Sequence, residues 1–525
     1  MSSPRRSRGV FLTGLILILV ALYYYDFFGL LVERDGDEGR HQITPPSKDA
    51  GQHAVPDEQT SSLKLSDTSS TAIHTDPVSS QPTTSALEVV PTPTSTHSAP
   101  QQAHKGAGAP EDVLLIFKTG ASTIWRRMPL HLTTTLSNGR IPHSVIYSDL
   151  PEQLSSTISA IDVLTNSSSI IQKFDPSAYA AYQDQQSPSH LNTYREHARL
   201  PGDEPPDATA GNQPGWLLDK YKFLPMLAHA QRNWPNLKWY IYIEDDTFIF
   251  WDNVLSYLST LEPDDEPSYY GAYSGEGNNT FAQGGSGLVF SRSLMSAVFS
   301  GDNIPDLEKY GNETSQSCCG DIMLGKVLRD YGVYVNRGTY GTGSFRPEPP
   351  WKTGFDDWSW CAPVFTFHHL HQRDILQLSE LERKRRALDA GRPVIFRDVY
   401  MELIAPYLTK PKLTNWDNFA SRYVFGSNAT DPVEEDLNSI DHAVLEAAPS
   451  SAEACRKACL AIPNCMGWRH DSANEKCGMD TVVKLGREPD PQPHWEAKTV
   501  ITSGWILERI DDVLLKETCK VVKDP

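Results

Sequence analysis

Three consecutive acids, Glu244-Asp245-Asp246, close an uninterrupted apolar run, Trp239-Tyr240-Ile241-Tyr242-Ile243, and apolar residues resume at Phe248. Adjacent carboxylates repel one another, so such a flank accepts them only where positive charge compensates. A hard divalent cation with oxygen ligands, shared with a substrate's phosphates, would do this. A solvated acidic turn is the simpler alternative. Further along, Phe367-His368-His369-Leu370-His371 places three imidazoles at the end of another apolar run. Imidazole joins carboxylates around manganese-like metals. Packing would account for one histidine; three at a strand end favour a ligand. Between these stretches lie the glycine-rich loop Gly284-Gly285-Ser286-Gly287 and Asp321, which heads an amphipathic stretch through Ile322, Leu324, Val327 and Leu328. Taken alone, the loop is a tight turn and Asp321 a helix N-cap.

The elements that must position these residues are those of an α/β fold. A β-branched and aromatic run without polar alternation fits a strand buried on both faces, in the middle of a mostly parallel sheet. In open α/β sheets ligands bind beyond the carboxyl ends of the strands, where the three acids stand. Globular sequence begins with a buried strand, Val113 to Lys118, ending at Thr119-Gly120, and a second strand, Ser144 to Tyr147, ends at Ser148-Asp149. The polar, Pro-rich stretch from Asp184 to Gly215 fits an insertion loop. A helix is expected over 216–233, with Leu217, Tyr221, Leu224 and Ala228 on its apolar face and a kink at Pro225. Its Lys220 and Lys222 are either diphosphate contacts or, more simply, surface lysines.

These motifs, in this order, resemble the fringe-like β-1,3-glycosyltransferases of glycosyltransferase family 31, over about Trp216 to His371. The acidic triplet matches that family's Asp-Asp-Asp motif, and Phe281 to Gly287 matches its Gly-Gly-Ala-Gly loop. Cys318-Cys319-Gly320-Asp321-Ile322-Met323-Leu324-Gly325 matches its Cys-Pro-Asp-Asp segment, and Phe367 to His371 its late His-rich segment. Glu244 stands where the family has an Asp, and Gly320 replaces the first Asp of the Asp-Asp pair. The resemblance implies a GT-A-type nucleotide-sugar transferase domain, with Mn²⁺ or Mg²⁺ as cofactor and a UDP-sugar as donor. It implies that Asp246, helped by Asp245, holds the metal on the diphosphate. His369 completes that site, with His368 its rival. Glu244, Gly284, Gly285 and Ser286 would contact substrate, the glycines letting an acceptor lie against the main chain, and Asp321 would be the catalytic base. The implied activity is inverting transfer of a sugar to a glycan or glycoprotein hydroxyl, with β-1,3 linkage.

The remaining sequence frames that domain. Arg5, Arg6 and Arg8 precede an uncharged run from Gly9 to Tyr25, extendable to Val32, and acids follow it. A span needs roughly 17–25 apolar residues, so 10–31 fits a transmembrane signal anchor behind a cytoplasmic tail, 1–9. No small-residue cleavage site is evident, which favours an anchor over a cleaved signal peptide. Residues 32–110 are Ser/Thr/Pro-rich and nearly free of aromatics, fitting a disordered stem. The transferase domain is then 111–430, luminal in a single-pass type II protein of the Golgi or another secretory membrane. From 431 to 525, Cys455, Cys459, Cys465 and Cys477 with Gly467-Trp468 resemble a PAN/apple-like module that binds protein or carbohydrate. That resemblance implies pairs Cys455–Cys477 and Cys459–Cys465, and leaves Cys318, Cys319, Cys361 and Cys519 unassigned. Eight cysteines suit an oxidising compartment, as do glycosylation sequons at Asn166, Asn278, Asn312 and Asn428. A net charge of −19 argues against nucleic acid as a partner. The competing expectation is a membrane-tethered lectin or adhesion protein on a degenerate transferase fold.

Overall fold

A computed structural model of the chain describes residues 108–187, 214–275, 277–302, 304–336, 343–389, 391–426, 437, 439–489, 500–516 and 518–519. The expected tail, anchor and nearly all of the stem lie outside these residues, as do Asn428 and the greater part of the expected insertion loop. Among the described residues no helix is long and apolar enough to cross a membrane.

The fold is α/β. Its strands are β1 (Val113–Lys118), β2 (His143–Ser148), β3 (Glu152–Gln153), β4 (Ser159–Asp162), β5 (Trp239–Glu244), β6 (Phe248–Ile249), β7 (Tyr269–Tyr270), β8 (Ala272–Ser274), β9 (Phe281–Gln283) and β10 (Leu288–Ser291). They continue with β11 (Phe345–Arg346), β12 (Thr366–Phe367), β13 (Lys412–Thr414), β14 (Tyr423–Gly426), β15 (Gly467–Asp471), β16 (Lys476–Asp480) and β17 (Ile501–Trp505). The main sheet has the order β3-β4-β2-β1-β5-β10-β7. It is mixed: β4, β2, β1 and β5 form its parallel centre, while β3 and β10 run antiparallel to their neighbours. Every residue of β1 is buried, which accounts for the unbroken apolar run Val-Leu-Leu-Ile-Phe. Its side chains divide between two cores. Leu114 and Ile116 join Tyr240 and Tyr242 beneath Leu224 and Leu227, while Leu115 and Phe117 join Ile241 and Ile243 against Trp251 and Val254.

The helix expected over 216–233 is two helices, Pro214–Asp219 and Phe223–Asn233. The break falls at Lys220-Tyr221-Lys222, because Tyr221 and Lys222 turn inward there. Pro225 kinks nothing. It occupies the first turn of the second helix, where no N–H is required. The buried face is accordingly Leu224, Leu227 and Ala230, with Leu218 from the shorter helix. The expected insertion loop also begins later than Asp184, which lies inside the helix Pro176–Gln186.

A second sheet, β11-β12-β6, brings the His-rich segment back beside the acidic turn: β12 pairs antiparallel with β6, which directly follows that turn. The C-terminal sheet, β13-β17-β15-β16-β14, is antiparallel throughout. It begins well before residue 431, since β13 and β14 form its two edges and Tyr423 packs into the cystine-bearing core. Cys455–Cys477 and Cys459–Cys465 are disulfides, as are Cys361–Cys519 and Cys318–Cys319. Nor is this part separable. Phe248 and Phe367 share one core with Leu485, Trp505 and Leu514, and Cys361–Cys519 ties the same two regions. Asn166 and Asn312 are exposed, as glycan acceptors must be.

Candidate functional site

The site gathers at the carboxyl ends of β1 and β5. The three acids leave β5 through a tight turn, in which Thr247 N–H donates to Glu244 O at 3.0 Å and Asp245 N–H to Lys118 O at 3.1 Å. The nearest cation differs from one acid to the next. Glu244 lies 3.1 Å from Lys118 Nζ and accepts the Tyr242 hydroxyl at 2.8 Å. Asp245 accepts both Thr119 and Thr123 hydroxyls at 2.6 Å and Arg127 at 2.8 Å, so both its oxygens are engaged. Asp246 lies 3.4 Å from Arg127 and 3.2 Å from His368 Nε2. Burial pushes the Glu244 and Asp246 pKa values up, but the neighbouring cations more than offset it and hold both carboxyls below the ordinary range. Burial pushes Lys118 down in turn, and Asp219 and Glu244 reverse that, keeping it charged.

Much of the compensation that the sequence assigns to a metal is therefore supplied by the protein itself. Lys118 and Arg127 went unrecognised as site residues. Lys118 had a signal, since it ends a buried strand as Glu244 does. Arg127 had none beyond its place in the helix Ile124–Thr133 that follows β1. Asp245 is a tie between the acidic turn and the Thr119–Arg127 segment, with a partner on each of its oxygens. Lys222 is not a surface lysine. It is buried, 2.7 Å from Asp149 at the tip of β2, and donates to Thr119 O at 2.8 Å. Lys220 donates to Ser315 O and lies 3.5 Å from Asp175.

Asp246, His368 and His369 do converge. One donor atom from each lies within 4.8 Å of the others. His368 is buried, and its ring stacks on that of His369 with centroids 3.9 Å apart. His369 is exposed and holds a left-handed backbone, φ 56°, which costs a non-glycine residue energy and turns its ring toward Asp246. The next residue, Leu370, donates its N–H to Asp246 O at 3.1 Å, fixing that turn. Burial lowers the His368 pKa, yet Asp246 and Glu244 carry it up to about 10. The charged His368 ring stacked on it holds His369 down at about 3. Asp246 Oδ1 and His368 Nδ1 are both buried without a well-aligned hydrogen bond, Oδ1 being the oxygen 3.2 Å from His368 Nε2. A carboxylate with two imidazoles is a donor set that fits Mn²⁺ or a similar metal. His371 stands apart from this group, at the start of the helix Gln372–Leu388, where its N–H donates to Asp374 at 3.0 Å.

The glycine loop serves the site from within. A side chain on Gly285 would overlap the His368 ring, so the glycine is the seat on which that ring rests. Ser286 is fully buried; its hydroxyl donates to Gln283 O and accepts from Ala272 N–H, and it presents nothing to an acceptor. Gly284 N–H donates to Asp321 at 2.8 Å, and a side chain on Gly284 would meet both Asp321 and Glu244.

Asp321 is not an N-cap. Cys319 holds that position, and Asp321 sits within the first turn of the helix Gly320–Asp330, where the helix dipole favours a negative charge. Its carboxylate accepts from Gly284 and Ile322 N–H groups, both at 2.8 Å. Burial raises its pKa above 3.8 despite those bonds. A half-buried carboxyl with raised basicity, one glycine away from Glu244, can take a proton from a bound hydroxyl.

The chain matches no known protein family and no curated protein.

Proposed function

We propose that this chain is a metal-dependent, inverting glycosyltransferase of the GT-A type. In this reading it moves a sugar from a UDP-sugar to a glycan or glycoprotein hydroxyl, with the β-1,3 linkage of the fringe-like family it resembles. The observation that carries the reading is the convergence of Asp246, His368 and His369 at the end of a central strand, with the half-buried Asp321 across Gly284. When bound, a Mn²⁺ or Mg²⁺ ion held by these three residues supplies Lewis-acid stabilisation to the diphosphate leaving group. Asp321 takes the acceptor hydroxyl's proton as that oxygen attacks the anomeric carbon, a contribution of roughly 10²–10⁴-fold. Inversion requires the base and the leaving group on opposite faces of the sugar, as in single-displacement glycoside chemistry. The amino-terminal sequence adds a type II anchor and a luminal, secretory-pathway location to this reading.

One observation favours a binding-only alternative, the tethered lectin. Lys118, Arg127 and His368 already offset the charge of the acidic triplet, so the turn is electrostatically tolerable without a metal. A panel of UDP-sugars, assayed for hydrolysis and transfer with Mn²⁺ and again with a chelator, separates the two. Metal-dependent turnover of any donor supports the transferase. Glycan binding with no turnover of any donor would replace it with the lectin.

A further inference from the structure

A cavity of about 230 Å³ opens beside the candidate metal ligands, and its lining is cationic. Arg126, Arg127, Lys352 and Arg487 face it, against the single carboxylate of Asp246. In a chain of net charge −19 this is a local reversal of sign, and clefts of one sign concentrate the opposite ion. Three of the cations come from the α/β part of the chain. The fourth, Arg487, comes from the C-terminal disulfide-rich part.

Arg487 is held firmly in place. Val483 exchanges two backbone hydrogen bonds with Phe355, both 2.9 Å, and Gly486 N–H donates to Trp351 O at 2.7 Å. Arg487 and Asp417 exchange two more, at 2.8 and 3.0 Å. Gly486 takes φ 79°, and a side chain there would collide with Asp417 O, so this turn requires glycine. The Arg487 guanidinium lies over the Trp351 ring, 5.2 Å from its centroid. On the opposite wall, Gln372 Nε2 donates to Arg126 O at 3.0 Å. Burial lowers the Lys352 pKa; Glu348 and Asp417 oppose that shift, and Arg487 and Lys484 add to it. Lys352 and Arg487 both line the cavity, where one anion would meet both.

We propose that the C-terminal part builds one wall of the functional site, and that Arg487, with Lys352 and Arg126, holds a phosphate- or sulfate-type anion beside Asp246 and His369. The space admits a diphosphate-sized group rather than a whole nucleotide sugar, since pockets for drug-sized ligands run to roughly 300–1,000 Å³. Naming the anion as the donor's diphosphate rests on the transferase reading. The assignment of Arg487 to the anion does not.

The test is calorimetric titration of the intact Mn²⁺-loaded protein with pyrophosphate, UDP, uridine and N-acetylglucosamine 6-sulfate. A charge-assisted contact of this kind is worth roughly tenfold in affinity or more. Arg487→Ala is expected to weaken pyrophosphate and UDP by at least that factor, leaving uridine binding and the melting temperature unchanged. Lys352→Ala is expected to reproduce the loss and stands in if Arg487→Ala folds poorly. Should only the sulfated sugar bind, and bind more weakly in the variants, the anion site stands and the diphosphate reading falls. If UDP binds equally well to wild type and both variants, the Arg487 assignment is wrong while the donor reading survives. Wild-type protein that binds none of the anions overturns the proposal.

Discussion

Replacing Gly285 with alanine adds one methyl group where the structure leaves no room. The new carbon would fall within contact range of three His368 ring atoms, Cε1, Nδ1 and Nε2. Optimal separations between such atoms are about 3.5–4.0 Å, so the ring must retreat by roughly 1 Å or more. It has little freedom to do so, being stacked at 3.9 Å on His369 and placed 3.2 Å from Asp246. Overpacking of this kind costs about 1–3 kcal/mol. For a chain of this length unfolding as one unit, that lowers the melting temperature by only about 1–3 °C. The larger effect falls on metal binding. Displacing a ligand by disturbing the residue that seats it costs roughly 10–100-fold in metal affinity. Titration with Mn²⁺, monitored by calorimetry, reads this directly. Gly284→Ala is the control: its added carbon meets Phe223, Asp321 and Glu244 at 3.2–3.4 Å, a misfit of tenths of an ångström that falls on none of Asp246, His368 and His369. Gly285→Ala that binds Mn²⁺ as tightly as Gly284→Ala would refute the view that Gly285 is small in order to seat His368.

Three further substitutions separate the roles of the carboxylates. Asp246→Ala is expected to abolish Mn²⁺-dependent UDP-sugar binding with a small loss of stability, because His368 can shed its proton once its counter-charge is gone; unchanged metal-dependent binding removes Asp246 from the site. Asp245→Ala should do the reverse, costing about 3 kcal/mol as Arg127 loses its nearest partner and leaving metal affinity nearly intact, as chemical denaturation and Mn²⁺ titration together would show. Loss of metal binding without loss of stability would make Asp245 a ligand after all. Asp321→Asn is expected to keep donor affinity while transfer falls by roughly 10²-fold or more. Since burial raises the Asp321 pKa, the ionised carboxyl weakens the fold as pH rises from about 3.8 through the raised value. The asparagine variant should thus be at least as stable as wild type at neutral pH, the difference closing below pH 3.8. Wild-type transfer rates in this variant would exclude Asp321 as the base.

What the sequence made legible follows from how local each signal was. The run from Trp239 to Ile243 announces a strand buried on both faces, and the structure places it at the centre of the sheet. The histidine cluster was visible for the same reason, since both motifs are contiguous. The backbone break at Lys220 to Lys222 was not, because it depends on partners far along the chain: Lys222 turns inward to meet Asp149, which arrives on another strand. The start of the C-terminal sheet was hidden differently. Lys412–Thr414 and Tyr423–Gly426 are three and four residues long, too short for alternation to declare itself, and they become strands only by pairing with β17 and β16.

The acidic triplet shows how far such reading reaches. In sequence Glu244, Asp245 and Asp246 look interchangeable, and their crowding calls for positive charge without saying where it comes from. Strand geometry sends neighbouring side chains in different directions, and here the turn completes the separation. Glu244 meets Lys118 from the adjacent strand, Asp245 is enclosed by Thr119, Thr123 and Arg127, and Asp246 faces His368. Lys118 reaches Glu244 because β1 and β5 pair in register at that position. Arg127 reaches Asp245 because the helix after β1 begins at the same carboxyl end of the parallel strands. Which acid each cation meets is set by topology, which no local pattern encodes. The outcome is a division of labour in which Asp245 is consumed in holding the turn, Glu244 is tied to β1, and Asp246 alone keeps a buried oxygen without a well-aligned hydrogen bond beside two imidazoles. Of the three, it is therefore Asp246 whose removal should cost ligand binding most and stability least.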